Sequence, residues 1–209
     1  MIEQISMLEQ IREILNKEAS AIRNIPVTTS FGEAIGIIHS QVHGKNGKLV
    51  TSGMGKAGQI AHNIATTFSS TGTPATFLHP SEAQHGDLGI LQENDVLLAI
   101  SNSGKTREII ELIDLKNNLY PGIPVIVITG NENSPLAKKA NCFISTGAPP
   151  EVCPLGLTPT TSTTVMTVIG DTLVVLMMGK IGFDAKDYAN RHHGGYLGMK
   201  SREISTKTK

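Results

Sequence analysis

The chain has 209 residues and no net charge at pH 7. A neutral balance argues against a nucleic-acid-binding surface, which is normally basic. Only 4% of residues are aromatic and none is tryptophan, which argues against base stacking, whereas 39% hydrophobic residues are enough to build a buried core.

The first 45 residues are predicted to form two helices. Apolar residues recur at three- and four-residue steps within residues 5–22, which is typical of an amphipathic helix. Ser30 is the expected N-cap of the second helix, with Glu33 as its capping-box partner. No positive patch precedes an apolar block at this end, so we expect no signal peptide and a cytoplasmic protein.

From residue 46 onward, short apolar strands alternate with helices. Strands are predicted at 48–53, 74–80, 95–101, 123–130 and 142–146, and helices at 56–72, 106–117, 134–140, 160–182 and 185–193. Strands that are continuous apolar runs belong to parallel sheets covered on both faces. The pattern predicts an α/β fold, a three-layer sandwich with a five-stranded parallel sheet and helices on both faces.

The chain is predicted to form one domain over residues 1–200, followed by a disordered tail at 201–209. The longest apolar stretch, residues 165–183, is interrupted by Asp171 and Lys180. We therefore expect a buried helix there and no membrane span.

Two loops of small residues, "TSGMGK" and "ISNSGKT", each follow a predicted strand and precede a helix. Ligands of open parallel sheets bind beyond the carboxyl ends of the strands, and a helix N-terminus attracts anions. The expected ligand is a phosphate, with Gly53 and Gly55 allowing close backbone approach. The expected phosphate-binding residues of the second loop are Ser101, Asn102, Ser103 and Thr106.

Two other interpretations of these loops remain. "SNSG" has the composition of a simple helix cap. Gly53, Gly55 and Gly58 have the spacing of a dinucleotide-binding loop, but no acidic residue ends the next strand, "PATFLHP".

Four stretches resemble the SIS (sugar isomerase) domain of D-arabinose 5-phosphate isomerases: "SGMGKAGQIAHNIATTFSSTGTPATFLHPSEAQHGDLG", "AISNSGKTREI", "EVCPLGLTPTTSTTVMTVIGDTL" and "HHGGYLG". The resemblance covers roughly residues 5–200 and implies a flavodoxin-like SIS fold. It further implies interconversion of D-ribulose 5-phosphate and D-arabinose 5-phosphate, which feeds synthesis of the acid sugar Kdo for lipopolysaccharide or capsule. Many members carry two C-terminal CBS modules, and we expect this chain to be a short form without them.

The resemblance assigns active-site roles to Lys56, Glu108, Glu151, His85 and His192. Glu151 lies among prolines, where a raised pKa is expected and suits a proton-transfer base. We favour it over Glu108, which has a second interpretation as a favourable charge at a helix N-terminus. Lys56 has the alternative of a solvated lysine, and the histidines titrate in the range that suits opening of the sugar ring.

Two positions depart from the family pattern. Lys105 stands where the family usually has glutamate, and His193 stands where it has proline. Both are secondary site candidates. In SIS proteins the C-terminal segment that carries His192 commonly reaches a neighbouring subunit, so the resemblance implies a homotetramer with shared active sites.

No metal or other cofactor is expected. The cysteines, Cys142 and Cys153, lack CxxC spacing and are interpreted as reduced thiols, and His192 and His193 are adjacent, which points their rings apart. The rival functions are a non-catalytic SIS module that senses a sugar phosphate and an SIS isomerase for another sugar phosphate. An activated Kdo nucleotide is a candidate feedback inhibitor.

Overall fold

A five-stranded parallel sheet lies at the centre of the computed structural model, which describes residues 6–207. The strands are β1 (Leu49–Gly53), β2 (Ala75–Phe77), β3 (Val96–Ile100), β4 (Val125–Thr129) and β5 (Cys142–Ser145). Their order is β2-β1-β3-β4-β5, and every neighbouring pair is parallel. This is the flavodoxin-like order, in which the connections diverge between β1 and β3.

Helices cover both faces of the sheet. They are α1 (Met7–Arg23), α2 (Ser30–Ile38), α3 (Gly55–Ser70), α4 (Pro80–Ala83), α5 (Arg107–Leu119), α6 (Pro135–Lys138), α7 (Thr161–Ile181), α8 (Ala185–Arg191) and α9 (Gly195–Lys207). A π-helical turn follows α2, and a 3-10 turn precedes β3.

The core consists of two apolar clusters, one on each face of the sheet. In β3, Val96, Leu98 and Ile100 pack with α2, α3 and α7, whereas Leu97 and Ala99 pack with α4, α5 and α6. Alternate side chains of a strand point to opposite faces, so an all-apolar strand fits only between two apolar layers. The predicted three-layer α/β sandwich is confirmed.

Helix α7 is long and apolar enough, by length and composition, to cross a membrane. Its inner face is nevertheless part of the core, where Val165, Ile169 and Leu173 are fully buried. The expectation of a buried helix therefore holds for that face, while Val175 and Leu176 on the outer face are exposed.

Two predictions about helix ends are wrong, and a third concerns residues that the structure does not describe. The N-cap of α2 is Thr29, one residue before the predicted Ser30, and the Thr29 hydroxyl donates to Glu33 across the first turn. The tail predicted as disordered is helical through residue 207, because α9 packs against α8 and buries Ser201. Residue 5, where the first helix was expected to begin, and residues 208–209 lie outside the described residues.

Candidate active site

A cavity of about 490 Å³ opens at the carboxyl ends of β1 and β3. This is the point where the connections of the sheet diverge, which is the usual ligand position in this topology. Three segments line the cavity, and their lining residues are Met54, Lys56, Ala57, Ile100, Ser101, Asn102, Ser103, Thr106, Pro149, Pro150, Glu151, Gly156, Leu157, Pro159, Ser162, Thr163 and Met166.

The turn from β1 into α3 brings Lys56 to this cavity. Gly55 has φ +57°, a conformation that glycine adopts without strain. A Cβ on Gly53 would lie 2.8 Å from the backbone of Ala57, so only glycine lets α3 begin this close to the strand. Lys56 is the second residue of α3 and is exposed at the cavity wall.

The loop after β3 presents the four predicted phosphate-binding residues at the cavity. The hydroxyls of Ser101 and Thr106 lie 2.7 Å apart, and the Ser101 hydroxyl also accepts a hydrogen bond from Gly104 N. Thr106 is the N-cap of α5, but its side chain makes no cap hydrogen bond. The N-terminus of the 13-residue helix α5 therefore lies at the cavity wall, beside the neutral hydroxyl and amide groups of the preceding loop.

A second loop, after β4, packs against the loop that follows β3. Gly130 N donates to Asn102 O at 3.0 Å, and the Asn131 side chain donates to Ser103 O at 3.4 Å. A Cβ on Gly104 would lie 2.1 Å from the Ser134 hydroxyl, so the two loops are packed together without space for a larger residue. Sequence reasoning missed this contact, because residues 130–134 carry no motif of their own.

Glu151 enters the cavity from the loop between β5 and α7, and its carboxylate binds the start of α7. Oε2 accepts hydrogen bonds from Thr160 N at 2.7 Å, Thr160 Oγ1 at 3.0 Å and Ser162 N at 3.2 Å. Burial raises the pKa of Glu151 and is the largest single effect, but the hydrogen bonds from Ser162 and Thr160 together outweigh it. The pKa therefore lies below its ordinary value, and the prediction of a raised pKa is wrong.

The same loop is folded tightly around Cys153. Its sulfur accepts hydrogen bonds from Leu157 N and Thr158 N, and these contacts bring Leu157 to the cavity. Hydrogen bonds from the Thr158 side chain and from backbone N–H groups lower the pKa of the thiol to about 7. Cys153 and Cys142 are both free thiols, as expected.

Sequence reasoning also missed the contribution of α7. Ser162, Thr163 and Met166 on its first turns line the cavity. The signal was present in "TPTTSTT", whose small hydroxyl residues precede a long apolar run and are typical of a helix start. This stretch contributed to the family resemblance, but its residues were not assigned to the site.

Several predicted site residues do not line the cavity of a single chain. Glu108 is half-buried in the first turn of α5, and His85 is exposed after α4. His192 stacks on Tyr188 with ring centroids 3.8 Å apart. Lys105 and His193 are exposed and are not among the residues that line the cavity. The roles given to these residues remain predictions.

The described residues contain no group of three or more His, Cys, Asp or Glu side chains arranged to hold a metal ion. The charged side chains that do line the cavity are Lys56 and Glu151. A cation and a carboxylate beside a helix N-terminus are suited to moving a proton on a bound anionic substrate.

Comparison with known proteins agrees with this geometry. The SIS domain model matches residues 43–176. Arabinose 5-phosphate isomerase KdsD of Pseudomonas aeruginosa is 49% identical over 154 residues, which are 74% of this chain and 47% of the relative. The chain thus spans about half the length of the curated relatives it matches.

Two solved structures are similar over most of their length. A Bacteroides fragilis protein, described as a candidate phosphosugar isomerase involved in capsule formation, is 66% identical, with TM-score 0.90 and coverage of 91% of this chain and 100% of that one. An Escherichia coli CFT073 protein in complex with arabinose 5-phosphate is 33% identical, with TM-score 0.83 and coverage of 89% and 97%.

Proposed function

Because the chain belongs to the SIS domain family, we propose that it is an aldose–ketose isomerase that interconverts D-ribulose 5-phosphate and D-arabinose 5-phosphate. The observation that carries the proposal is the cavity itself. It combines a phosphate-binding loop, a lysine and a carboxylate within about 490 Å³, a volume in the range of small-ligand sites.

The phosphate of the sugar binds at the N-terminus of α5. The hydroxyls of Ser101, Ser103 and Thr106 and the Asn102 amide supply neutral donors, and the helix dipole favours the dianion. Binding there fixes the far end of the sugar, so the carbon atoms that react extend toward Lys56 and Glu151.

Glu151 acts as the base that moves the proton. Its lowered pKa keeps it ionised at neutral pH, so it removes the C2 proton of the aldose and returns that proton to C1, while the proton on O2 passes to O1. Negative charge develops on the enediolate oxygens, and the Lys56 ammonium stabilises it. Glu108 is the alternative base, and the sugar ring opens with help from His192 or His85.

The protein forms a homotetramer whose active sites are shared between copies. Helix α1 has no buried residue, and apolar side chains on it, such as Leu8 and Leu15, are 67% and 62% exposed. Val175 on α7, the helix against which α1 packs, is also exposed, and a second copy can cover these apolar side chains. The C-terminal segment then brings His192 to the cavity of another copy.

The product feeds synthesis of Kdo in the cytoplasm, for lipopolysaccharide or capsule. The Bacteroides fragilis relative that is described in capsule formation supports this placement.

The test is turnover of ribulose 5-phosphate by the purified chain, with NMR identification of the product and a parallel reaction with a chelator. We expect arabinose 5-phosphate from the wild type, no effect of the chelator, and a loss of about 10²- to 10⁴-fold in Lys56→Ala. Lys45→Ala is the matched control, since Lys45 is an exposed lysine on the opposite edge of the sheet.

Other results separate the rival functions. Binding of sugar phosphate without turnover favours a non-catalytic sensor, and faster turnover of a hexulose phosphate favours an isomerase for another sugar. Equal losses in the two lysine variants would contradict the role of Lys56.

Feedback is proposed at the same site. An activated Kdo nucleotide carries a carboxylate and a phosphate, which Lys56 and the exposed Lys105 can bind. We expect competitive inhibition that weakens in Lys105→Glu by less than about tenfold, because an exposed charge contributes about 1 kcal/mol or less. Initial rates that stay constant as the nucleotide concentration rises would contradict the proposal.

A further inference from the structure

The start of α7 is capped by a side chain from the loop that precedes it, nine residues before the N-cap. Its N-cap residue, Thr160, makes no cap hydrogen bond with its own side chain. The Glu151 carboxylate accepts the backbone N–H groups of Thr160 and Ser162 instead. Helix starts leave such N–H groups without an intrahelical partner, and an anion there is favoured by the helix dipole.

Because Glu151 caps the helix, the Thr160 hydroxyl is free for another contact. It donates to Glu151 Oε2 at 3.0 Å and accepts from Val152 N at 3.3 Å. One hydroxyl therefore binds both the carboxylate of Glu151 and the backbone of the next residue. Two attachment points, one on the side chain and one on the main chain, restrict how the carboxylate can rotate.

We propose that Thr160 is a positioning residue, which commits Oε2 of Glu151 to the start of α7 and leaves Oε1 to exchange the proton with the substrate. The proposal rests on the proposed function, in which Glu151 is the base. Oε2 accepts three hydrogen bonds and has little capacity left for a further proton, so proton exchange falls to Oε1. The three donors are neutral, so they fix the orientation of the carboxylate without neutralising its charge.

The next residue offers a matched comparison. Thr161 is 1% exposed, and its hydroxyl donates to Glu18 on α1 at 2.9 Å. Removing the Thr161 hydroxyl deletes a buried hydrogen bond of the same type, but one that does not involve Glu151. The two substitutions separate a loss of positioning from a general loss of packing at the start of α7.

Charged groups on the neighbouring elements bear on any pH measurement here. Lys56 lines the same cavity as Glu151, while Lys17 on α1 lines a second cavity that Glu151 also borders. Glu18 lies beyond Thr161. All three charged side chains are present in every variant proposed below, and Glu18 loses a hydrogen-bond donor only in Thr161→Val.

The experiment compares Thr160→Val, Thr160→Ser and Thr161→Val by the pH profile of kcat/KM. In Thr160→Val we expect kcat to fall about 10- to 100-fold with KM changed less than about threefold, and the acidic limb of the profile to move to higher pH, since the ionised carboxylate loses a donor. Thr160→Ser keeps the hydroxyl and is expected to restore both kcat and the position of the acidic limb. Thr161→Val is expected to lower the thermal midpoint while the acidic limb stays in place.

A second readout does not depend on activity. A ¹³C NMR titration of the Glu151 carboxyl, assigned with Glu151→Gln, should show a higher pKa in Thr160→Val than in the wild type. If Thr160→Val fails to fold, Thr160→Ala removes the same hydroxyl without the branched bulk.

An unchanged kcat and an unchanged titration in Thr160→Val would overturn the proposal, as would equal shifts in Thr160→Val and Thr161→Val. A wild type that does not turn over any sugar phosphate overturns the proposed function, whereas the titration still reports whether Thr160 holds the carboxylate.

Discussion

Each of the two edges of the sheet, at the amino and at the carboxyl ends of the strands, holds a carboxylate, but the two carboxylates differ in burial and in partners. At the amino-terminal edge, the fully buried Asp95 accepts hydrogen bonds from Lys48 N, Lys48 Nζ and Gln92 N, at 2.7–2.9 Å. At the carboxyl-terminal edge, Glu151 is half-buried and accepts hydrogen bonds from neutral groups only. Asp95 is neutralised by its lysine, whereas the groups that donate hydrogen bonds to Glu151 carry no charge.

Lysines differ between the edges in the same way. Lys116 is 2% exposed and donates to Ile123 O, just before β4, so it is enclosed at the amino-terminal edge. Lys56 is exposed at the cavity wall on the other edge. A buried, internally satisfied charge contributes to the structure, and a charge held by neutral donors or by solvent can serve chemistry.

The largest expected effect is on catalysis at the carboxyl-terminal edge. Glu151→Gln should lower kcat by about 10²- to 10⁴-fold, because glutamine has no basic carboxylate. Stability should fall by about 0.3–1 kcal/mol, because the charge favoured by the dipole of α7 is lost while the amide oxygen can still accept from Thr160 N and Ser162 N. Steady-state kinetics and a thermal melt measure the two quantities. Glu108→Gln is the comparison, and a larger loss there than in Glu151→Gln would transfer the role of base to Glu108.

The next effect is on stability at the amino-terminal edge. Asp95→Asn should lower the free energy of unfolding by about 1.5–3 kcal/mol, because the buried carboxylate loses its charge-assisted hydrogen bond from Lys48, whose side chain is 22% exposed. The kcat of the folded protein should stay the same. Urea unfolding measures the change, and Asp114→Asn is the control.

That control breaks an ion pair with Lys139 in which the Asp114 side chain is 53% exposed, so a loss below about 1 kcal/mol is expected. If Asp95→Asn lowers the free energy of unfolding no more than Asp114→Asn does, the buried charge of Asp95 does not stabilise the amino-terminal edge of the sheet.

The smallest effect concerns the pH dependence of stability. Burial lowers the pKa of Lys116 below its ordinary 10.5, so between the folded value and 10.5 the unfolded chain binds more protons than the folded one. The free energy of unfolding should therefore rise with pH across that window. Below the folded pKa both states are protonated and this contribution is constant.

Urea unfolding of the wild type and Lys116→Met between pH 7 and pH 10 tests this window. The stability of the wild type relative to the variant should increase with pH. Lys138→Met, at an exposed lysine of α6, is the control for the loss of one lysine. A difference in stability between the wild type and Lys116→Met that stays constant with pH would contradict the expected linkage.

Much of the fold could be predicted because its signals are local. The apolar runs of β1, β3 and β4 and the glycines at their ends are visible in short windows, and they place the cavity at the carboxyl-terminal edge. The tail was predicted wrongly because 201–207 has few apolar residues, and its helix depends on packing against α8.

The composition and spacing of residues determined the sheet and the two glycine and serine loops, since hydrophobic period and turn chemistry act over a few residues. The family resemblance, in contrast, pointed to Lys56 and Glu151 as site candidates. Only the tertiary structure decided which groups donate hydrogen bonds to Glu151. Its hydrogen-bond partners lie nine to eleven residues away at the start of another element, and they reverse the pKa shift that its proline-rich loop suggested. A pKa depends on the donors and charges in space around a group, and those are set only when distant segments pack together.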